Sequence, residues 1–512
     1  MDTDKIGKGT SVSQSAMGGA VWMLFGSIFQ IVVQIGIISV LARLLSPTDF
    51  GVVGVMMLFV SFTYIFTQLG IGASLIQMPD ITPKHISVGY TLSIVLGLII
   101  CIIFFFLAPL LGKFFNLKDL ETPIRFFSFF FPIKSFNSVS EALLQRRFKF
   151  RITVKANSIA YLVGFGLTSV TLAYLGYGYW SIIYGQLVQL LIYTIMLVLQ
   201  EKPSFSFTFD KAIFKQLTSF GTGHTLATVF NYFAENADNM TVGKFLGPAS
   251  LGIYSRAFQF LSIPSRFFGS IFDNVLFPVL SSKQKETKTL SGFYIFSLSF
   301  CHVLLLPISF FLVINAHTLI YLLLGPKWNE VVYPFQILIV GLAFRFGTKI
   351  NKSFLKSLGL VYRGAYYQLI FALLIIGLSY LGAITYGLPG VAYGVLVATI
   401  VNYFQISYRL HKVLSYSVKD FFFLHIRSVL FDLPIVLVLL LIYNLQLGNQ
   451  YITLGISLVV YVPLFLWITF NGSNVLFRYN NQSYLGLVIK NLPSSIQKVL
   501  MRTKFYKNLY GR

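Results

Sequence analysis

The chain has 512 residues, of which 56% are hydrophobic and only 11% charged, and its mean hydropathy is +0.76. A soluble chain of this length would form two to four domains with about 25% charged residues, so an ordinary soluble enzyme is excluded. The formal charge of +23 would suit a nucleic-acid binder, but the positions of the basic residues argue against one.

Apolar runs of 20 or more residues are long enough to cross about 30 Å of hydrocarbon at about 1.5 Å per residue. Fourteen spans are predicted, at about 17–41, 51–71, 87–111, 123–144, 153–175, 179–199, 217–243, 252–279, 291–315, 331–351, 363–384, 389–409, 427–445 and 452–470. The first follows a polar tail carrying Lys5 and Lys8. It is too long for a signal-peptide core, so it is expected to be retained. The basic residues gather in the even-numbered loops. Arg146, Arg147, Lys149 and Arg151 follow span four, Lys283, Lys285 and Lys288 follow span eight, and Arg409, Lys412 and Lys419 follow span twelve. The tail adds Arg478, Lys490, Lys498, Arg502, Lys504, Lys507 and Arg512, whereas the opposite side has only Arg43, Lys113, Lys118, Lys244 and Lys327. By the positive-inside rule both termini are cytoplasmic, and no nucleic-acid partner is implied.

Two further features bound the reading. Cys101 and Cys301 fall mid-span with no metal or disulfide spacing. After the last span, the basic tail carries apolar positions at Leu485, Leu487, Val488, Ile489, Leu492, Ile496 and Leu500, the pattern of an interfacial helix on an anionic leaflet.

The chain also repeats itself. Arg43-Leu44-Leu45-Ser46-Pro47-Thr48-Asp49-Phe50-Gly51 returns as Lys244-Phe245-Leu246-Gly247-Pro248-Ala249-Ser250-Leu251-Gly252. Tyr177-Gly178 with Tyr184-Gly185-Gln186-Leu187-Val188 returns as Tyr386-Gly387 with Tyr393-Gly394-Val395-Leu396-Val397. A unit of about 200 residues has been duplicated, and six spans per copy make the repeat parallel. The expected architecture is an all-α polytopic membrane protein: a six-helix lobe over 1–208, a second over 209–412, helices 13 and 14 over 413–470, and a basic cytoplasmic tail over 471–512. Two facing lobes are how alternating-access carriers are built.

The hairpin from Leu41 to Gly51 resembles the signature of the Wzx-type polysaccharide flippases. So does its echo, Asp238 to Pro248 followed by Leu251-Gly252-Ile253-Tyr254. That family is a branch of the superfamily containing the multidrug and toxin extruders and the lipid II flippases. The resemblance spans the whole chain, and it implies movement of undecaprenyl-diphosphate-linked oligosaccharide from the cytoplasmic to the outer leaflet of a bacterial inner membrane. It also implies contact with other polysaccharide-assembly membrane proteins. A multidrug or other lipid exporter of the same superfamily is the alternative. The lipid II branch uses basic residues in its first two helices, where this chain has apolar residues, Gln30 and Gln34.

Buried polar residues mark the candidate site, because an ionisable side chain at the bilayer centre costs about 2.5–3.5 kcal/mol. His224, Thr228, Asn231, Glu235 and Asp238 share one face of helix seven, and Arg256, Gln259, Arg266, Ser270 and Asp273 one face of helix eight. The tight hairpin between those helices predicts an ion pair, direct or through one water, between Asp238 and Arg256. Arg345 lies two turns inside helix ten, above Lys349, Lys352 and Lys356, which are expected to snorkel to the surface. Helix four offers Lys134, Asn137 and Glu141, with a Lys134–Glu141 pair as the structural alternative to a cavity role for Lys134.

Arg256, Arg266, Arg345, Lys134, Gln30, Gln34 and Asn231 are therefore the candidate cavity residues. Arginine and lysine suit the two phosphates of such a cargo. Glu235 and Asp238 are the candidate coupling acids for H+ or Na+. No G-x-x-x-x-G-K-[ST] run occurs, so neither ATP hydrolysis nor a cofactor is expected. An enzyme is disfavoured as well: there is no large outer loop, and of the six histidines only His224 lies on a polar stripe.

Overall fold

A chain in lipid must satisfy every backbone N–H and C=O within itself, which makes helices the natural outcome of these apolar runs. The computed structural model describes residues 29–68, 70–200, 210–271, 287–445 and 448–476, with Gly26, Thr208 and the short stretches 478–479 and 482–483. In chain order the first helices are α1 Phe29–Leu44, α2 Pro47–Gln68, α3 Ile71–Gln77, α4 Pro83–Phe114, α5 Glu121–Ser128, α6 Phe130–Arg146, α7 Phe150–Tyr174 and α8 Tyr179–Gln200. Next come α9 Lys211–Thr241, α10 Gly247–Ile271, α11 Thr287–Ile314, α12 Ala316–Leu324, α13 Val332–Val340 and α14 Leu342–Ser357. The last are α15 Val361–Leu414, α16 Val418–Leu445 and α17 Gln450–Leu476, followed by a minimal ladder, β1 Arg478–Tyr479 with β2 Gln482–Ser483.

Among the described residues, seven helices are long and apolar enough to cross a membrane, or eight if the pair bent by 46° at Gly341 counts as one span. This is fewer than the fourteen expected, for readable reasons. Span four is divided into α5 and α6, and span ten is the bent pair. Spans eleven and twelve form the single hairpin α15, which turns at Gly387 with φ of +63°. Polar stripes lower the hydropathy of α9, α10 and α14.

Contacts group the chain into two compact units, Met1–Ser255 with Leu323–Lys327, and Arg256–Leu322 with Trp328–Arg512. This grouping reflects packing and is distinct from the 208–209 boundary of the sequence repeat. In the first unit α9 packs on α2 and α3: Ser74 Oγ donates to the Leu217 carbonyl at 2.9 Å, and the Tyr232 hydroxyl donates to the Leu58 carbonyl. A core of Ile71, Leu75, Val88, Val139, Leu143 and Leu217 fills the space between α3, α4, α6 and α9. In the second unit Phe311, Ile435, Leu439 and Tyr461 bind α16 and α17 to α11.

The duplicated motifs have direct structural reasons. Ser46 caps α2: its hydroxyl donates to Asp49 Oδ2 at 2.6 Å, while the Asp49 N–H donates to Ser46 Oγ at 3.2 Å. Pro47 opens the helix, where its missing N–H costs nothing. Asp49 Oδ1 also accepts from the Tyr179 N–H at 3.0 Å. The first motif is thereby tied to Tyr177-Gly178 at the start of α8, where Gly178 has φ of +52°. The two Pro-x-x-x-Gly motifs, both within the first unit, pack on each other reciprocally. A Cβ at Gly51 would fall 1.7 Å from the Pro248 carbonyl oxygen, and one at Gly252 would fall 1.9 Å from that of Pro47.

Candidate functional site

The first unit contains a half-open cavity of about 580 Å³, lined from α1, α2, α5, α6, α7 and α8. Its shape follows from two backbone features. Residues Leu162–Ser169 of α7 are π-helical, a widening common at functional sites. There α7 meets α8 backbone to backbone, since a Cβ at Gly164 would lie 2.5 Å from the Gly185 carbonyl oxygen and one at Gly185 2.7 Å from that of Gly164. Asn137 Nδ2 donates to Thr194 Oγ1 at 2.7 Å, which fixes α6 against α8. Lys134, Glu141 and Gln145 on α6 and Gln186, Gln189 and Tyr193 on α8 consequently face the same space.

The charges in this cavity cancel. Lys134 Nζ lies 3.7 Å from Glu141 Oε2, with both side chains about three-quarters buried, and 5.7 Å from the centre of the Tyr193 ring. Lys134 thus lines the cavity and is paired across seven residues with Glu141. The rest of the polar lining is uncharged: Gln30, Ser61, Gln145, Thr153, Asn157, Gln186 and Gln189. Gln186 donates only to the Met57 sulfur, at 3.6 Å, a weak acceptor. Phe127, stacked on Phe130 at 3.8 Å, and Phe165 supply flat apolar walls. Gln30 is part of this lining, whereas Gln34, one turn on, is half-buried and outside it.

On α9, Asn231 and Glu235 are exposed while Asp238 is 2% exposed. Asp238 Oδ2 accepts from the buried Tyr254 hydroxyl at 2.8 Å, and Oδ1 accepts from the Asn239 backbone and side-chain amides at 2.8 and 3.1 Å. Arg256 is half-buried and belongs to the second unit. Arg266 lies on α10 and His224 on α9, but their side chains are outside those described, as is Ser270; Asp273 lies outside the described residues altogether.

Arg345, on α14 in the second unit, is half-buried, and its guanidinium sits 4.4 Å from the centre of the Phe258 ring. Among the described residues it has no carboxylate partner. The same unit holds a buried polar network that the sequence reading missed. Tyr294 donates to Asn351 Oδ1 at 2.9 Å, and Asn351 Nδ2 donates to Ser407 Oγ at 2.9 Å. Nearby, Tyr403 Oη is 2.9 Å from His425 Nε2, and His302 packs 4.6 Å from His425. His425 Nδ1 faces the Phe421 carbonyl at 2.7 Å, so it carries the proton and Nε2 accepts from Tyr403. Residues 302, 403 and 425 share no helical spacing, so no periodicity could have joined them.

Residues 40–333 match the model of a polysaccharide biosynthesis protein family, more than half of the chain. The chain belongs to that family. The Wzx-type assignment expected from the hairpin motifs is met. Similar proteins come from different bacteria. The lipopolysaccharide biosynthesis protein WzxC of Escherichia coli (strain K12) is 26% identical over 397 residues, 77% of this chain and 80% of that one. The teichuronic acid biosynthesis protein TuaB of Bacillus subtilis (strain 168) is 25% identical over 417 residues, 80% of this chain and 86% of that one. Among solved structures, an inward closed lipid II flippase MurJ aligns with a TM-score of 0.72 at 16% identity, covering 90% of this chain and 100% of that one. An inward-facing multidrug resistance MATE transporter aligns at 0.60 and 15% identity, over 77% of this chain and 98% of that one. The family member is therefore a multi-pass membrane protein with the fold of these transporters.

Proposed function

We propose that the protein moves an undecaprenyl-diphosphate-linked oligosaccharide from the cytoplasmic to the outer leaflet of the bacterial inner membrane by alternating access, with both termini cytoplasmic. The observation that carries this reading is Arg345: half-buried, held on the Phe258 ring, and with no carboxylate partner among the described residues. A partly desolvated cation with no acid beside it favours an anionic cargo, and a guanidinium can bind phosphate through two parallel hydrogen bonds. Arg256 and Arg266 are proposed to share that role, while the prenyl tail stays in lipid. The names of the relatives, which concern lipopolysaccharide and teichuronic acid biosynthesis, support the polysaccharide cargo.

Glu235 and Asp238 are proposed to exchange H+ or Na+ during the cycle. An Asp238–Arg256 ion pair, loosened when the acid is neutralised, would change which arrangement is stable. Asn231, on the same helix face, and Gln34 complete the proposed cargo path, and other polysaccharide-assembly membrane proteins would supply and receive the cargo. A multidrug exporter of organic cations is less well supported, because the cavity of the first unit carries no net charge and its acid, Glu141, is paired with Lys134.

Reconstitution tests the proposal. Proteoliposomes loaded with undecaprenyl-diphosphate-linked oligosaccharide should expose the glycan to an external lectin faster than protein-free liposomes, and Arg345→Ala should slow exposure at least tenfold. Equal rates with and without protein would reject the reading.

A further inference from the structure

The cavity of the first unit has a chemistry of its own. A diphosphate brings at least two negative charges, whereas this cavity offers one ammonium already 3.7 Å from a carboxylate. Binding phosphate there would set it beside Glu141, and like charges in a partly desolvated space repel. A prenyl tail fits no better, since the amides would lose water and gain no partner. An organic cation would have to displace Lys134 from Glu141.

What the lining does match is a sugar. Each pyranose hydroxyl is both donor and acceptor, and so is each carboxamide of Gln30, Gln145, Asn157 and Gln189. The C–H faces of a sugar ring are apolar, and Phe127 and Tyr193 offer flat surfaces in the same space. The volume of about 580 Å³ falls within the roughly 300–1,000 Å³ of small-molecule sites.

We infer that this cavity is a carbohydrate subsite for an uncharged sugar of the cargo, with the diphosphate held by cations elsewhere. The inference rests on the proposed lipid-linked cargo. It reassigns Lys134 from phosphate binding to holding Glu141 in place, so that the carboxylate accepts sugar hydroxyls while the ammonium cancels its charge. Discrimination then comes from amides that are left without partners when the sugar is missing.

The full chain in lipid nanodiscs, titrated with farnesyl diphosphate and with farnesyl diphosphate bearing a neutral disaccharide, separates the two parts of the claim. The glycosylated probe should bind at least tenfold tighter. The double variant Asn157→Leu, Gln189→Leu should lose that preference while its affinity for farnesyl diphosphate stays within about twofold of the wild type. If the double variant does not fold, Gln145→Ala serves in its place, with a smaller but selective loss. Equal binding of the two probes by the wild type overturns the subsite and leaves the flippase reading standing. An equal loss for both probes in the variant also overturns the subsite. Failure of the wild type to bind either probe overturns the cargo assignment itself.

Discussion

Alanine at Gly51 or Gly252 perturbs the reciprocal contact of the two Pro-x-x-x-Gly motifs. A Cβ at Gly51 would sit 1.7 Å from the Pro248 carbonyl oxygen and 2.4 Å from its carbon, and one at Gly252 1.9 Å from the Pro47 oxygen. Real Cβ atoms essentially never approach closer than 3.0 Å, so the two segments must separate by more than an ångström. The obstacle in each case is backbone, which has no rotamer to change. Overpacking of this kind costs about 1–3 kcal/mol per site. Gly51→Ala and Gly252→Ala should each lower the thermal unfolding midpoint in detergent, followed by tryptophan fluorescence, by several degrees. Because both substitutions open one contact, the double variant should cost clearly less than the two single effects combined. Midpoints unchanged within a degree, or fully additive losses, would refute the reciprocal packing.

Other expectations follow from single contacts. Asp49→Ala leaves the Ser46 cap but removes the carboxylate that accepts from the Ser46 N–H and hydroxyl and from the Tyr179 N–H, and should cost about 1–2 kcal/mol, measured by the same unfolding assay. Tyr254→Phe strips a donor from the buried Asp238 carboxylate and should cost about 1–3 kcal/mol, and adding Asp238→Asn to that variant should recover part of the loss. Lys134→Met should damage transport more than the double variant Lys134→Met, Glu141→Gln, since the single change leaves an unpaired acid in the cavity. Replacing Glu235 and Asp238 together by Gln and Asn should abolish the dependence of transport on an ion gradient; unchanged transport in vesicles would remove their proposed coupling role.

The duplication and the hairpin motifs were legible because glycine and proline impose backbone constraints that survive as sequence landmarks. Lys134 and Glu141 were legible because charge within an apolar run is conspicuous. The amides of the cavity were not. Gln186, Gln189 and Tyr193 share a helical face of α8, and Thr153 and Asn157 one of α7, but uncharged polar residues at that spacing interrupt hydropathy only weakly. A search for amide stripes beside aromatic ones would have found them. Tyr254 was hidden for another reason: it reads as one more apolar aromatic, and only the turn between α9 and α10 brings its hydroxyl to Asp238. The contact of Gly51 with Pro248 joins residues far apart in sequence, so each motif explained its own turn and neither revealed its partner.

The most direct test of the central claim is the sidedness of undecaprenyl-diphosphate-linked oligosaccharide in cells lacking this protein, compared with the same cells after its restoration. Accumulation of the intermediate on the cytoplasmic face with loss of surface polysaccharide, both reversed on restoration, is the predicted result. Normal arrival of the intermediate at the outer leaflet in a strain with no redundant carrier would contradict it.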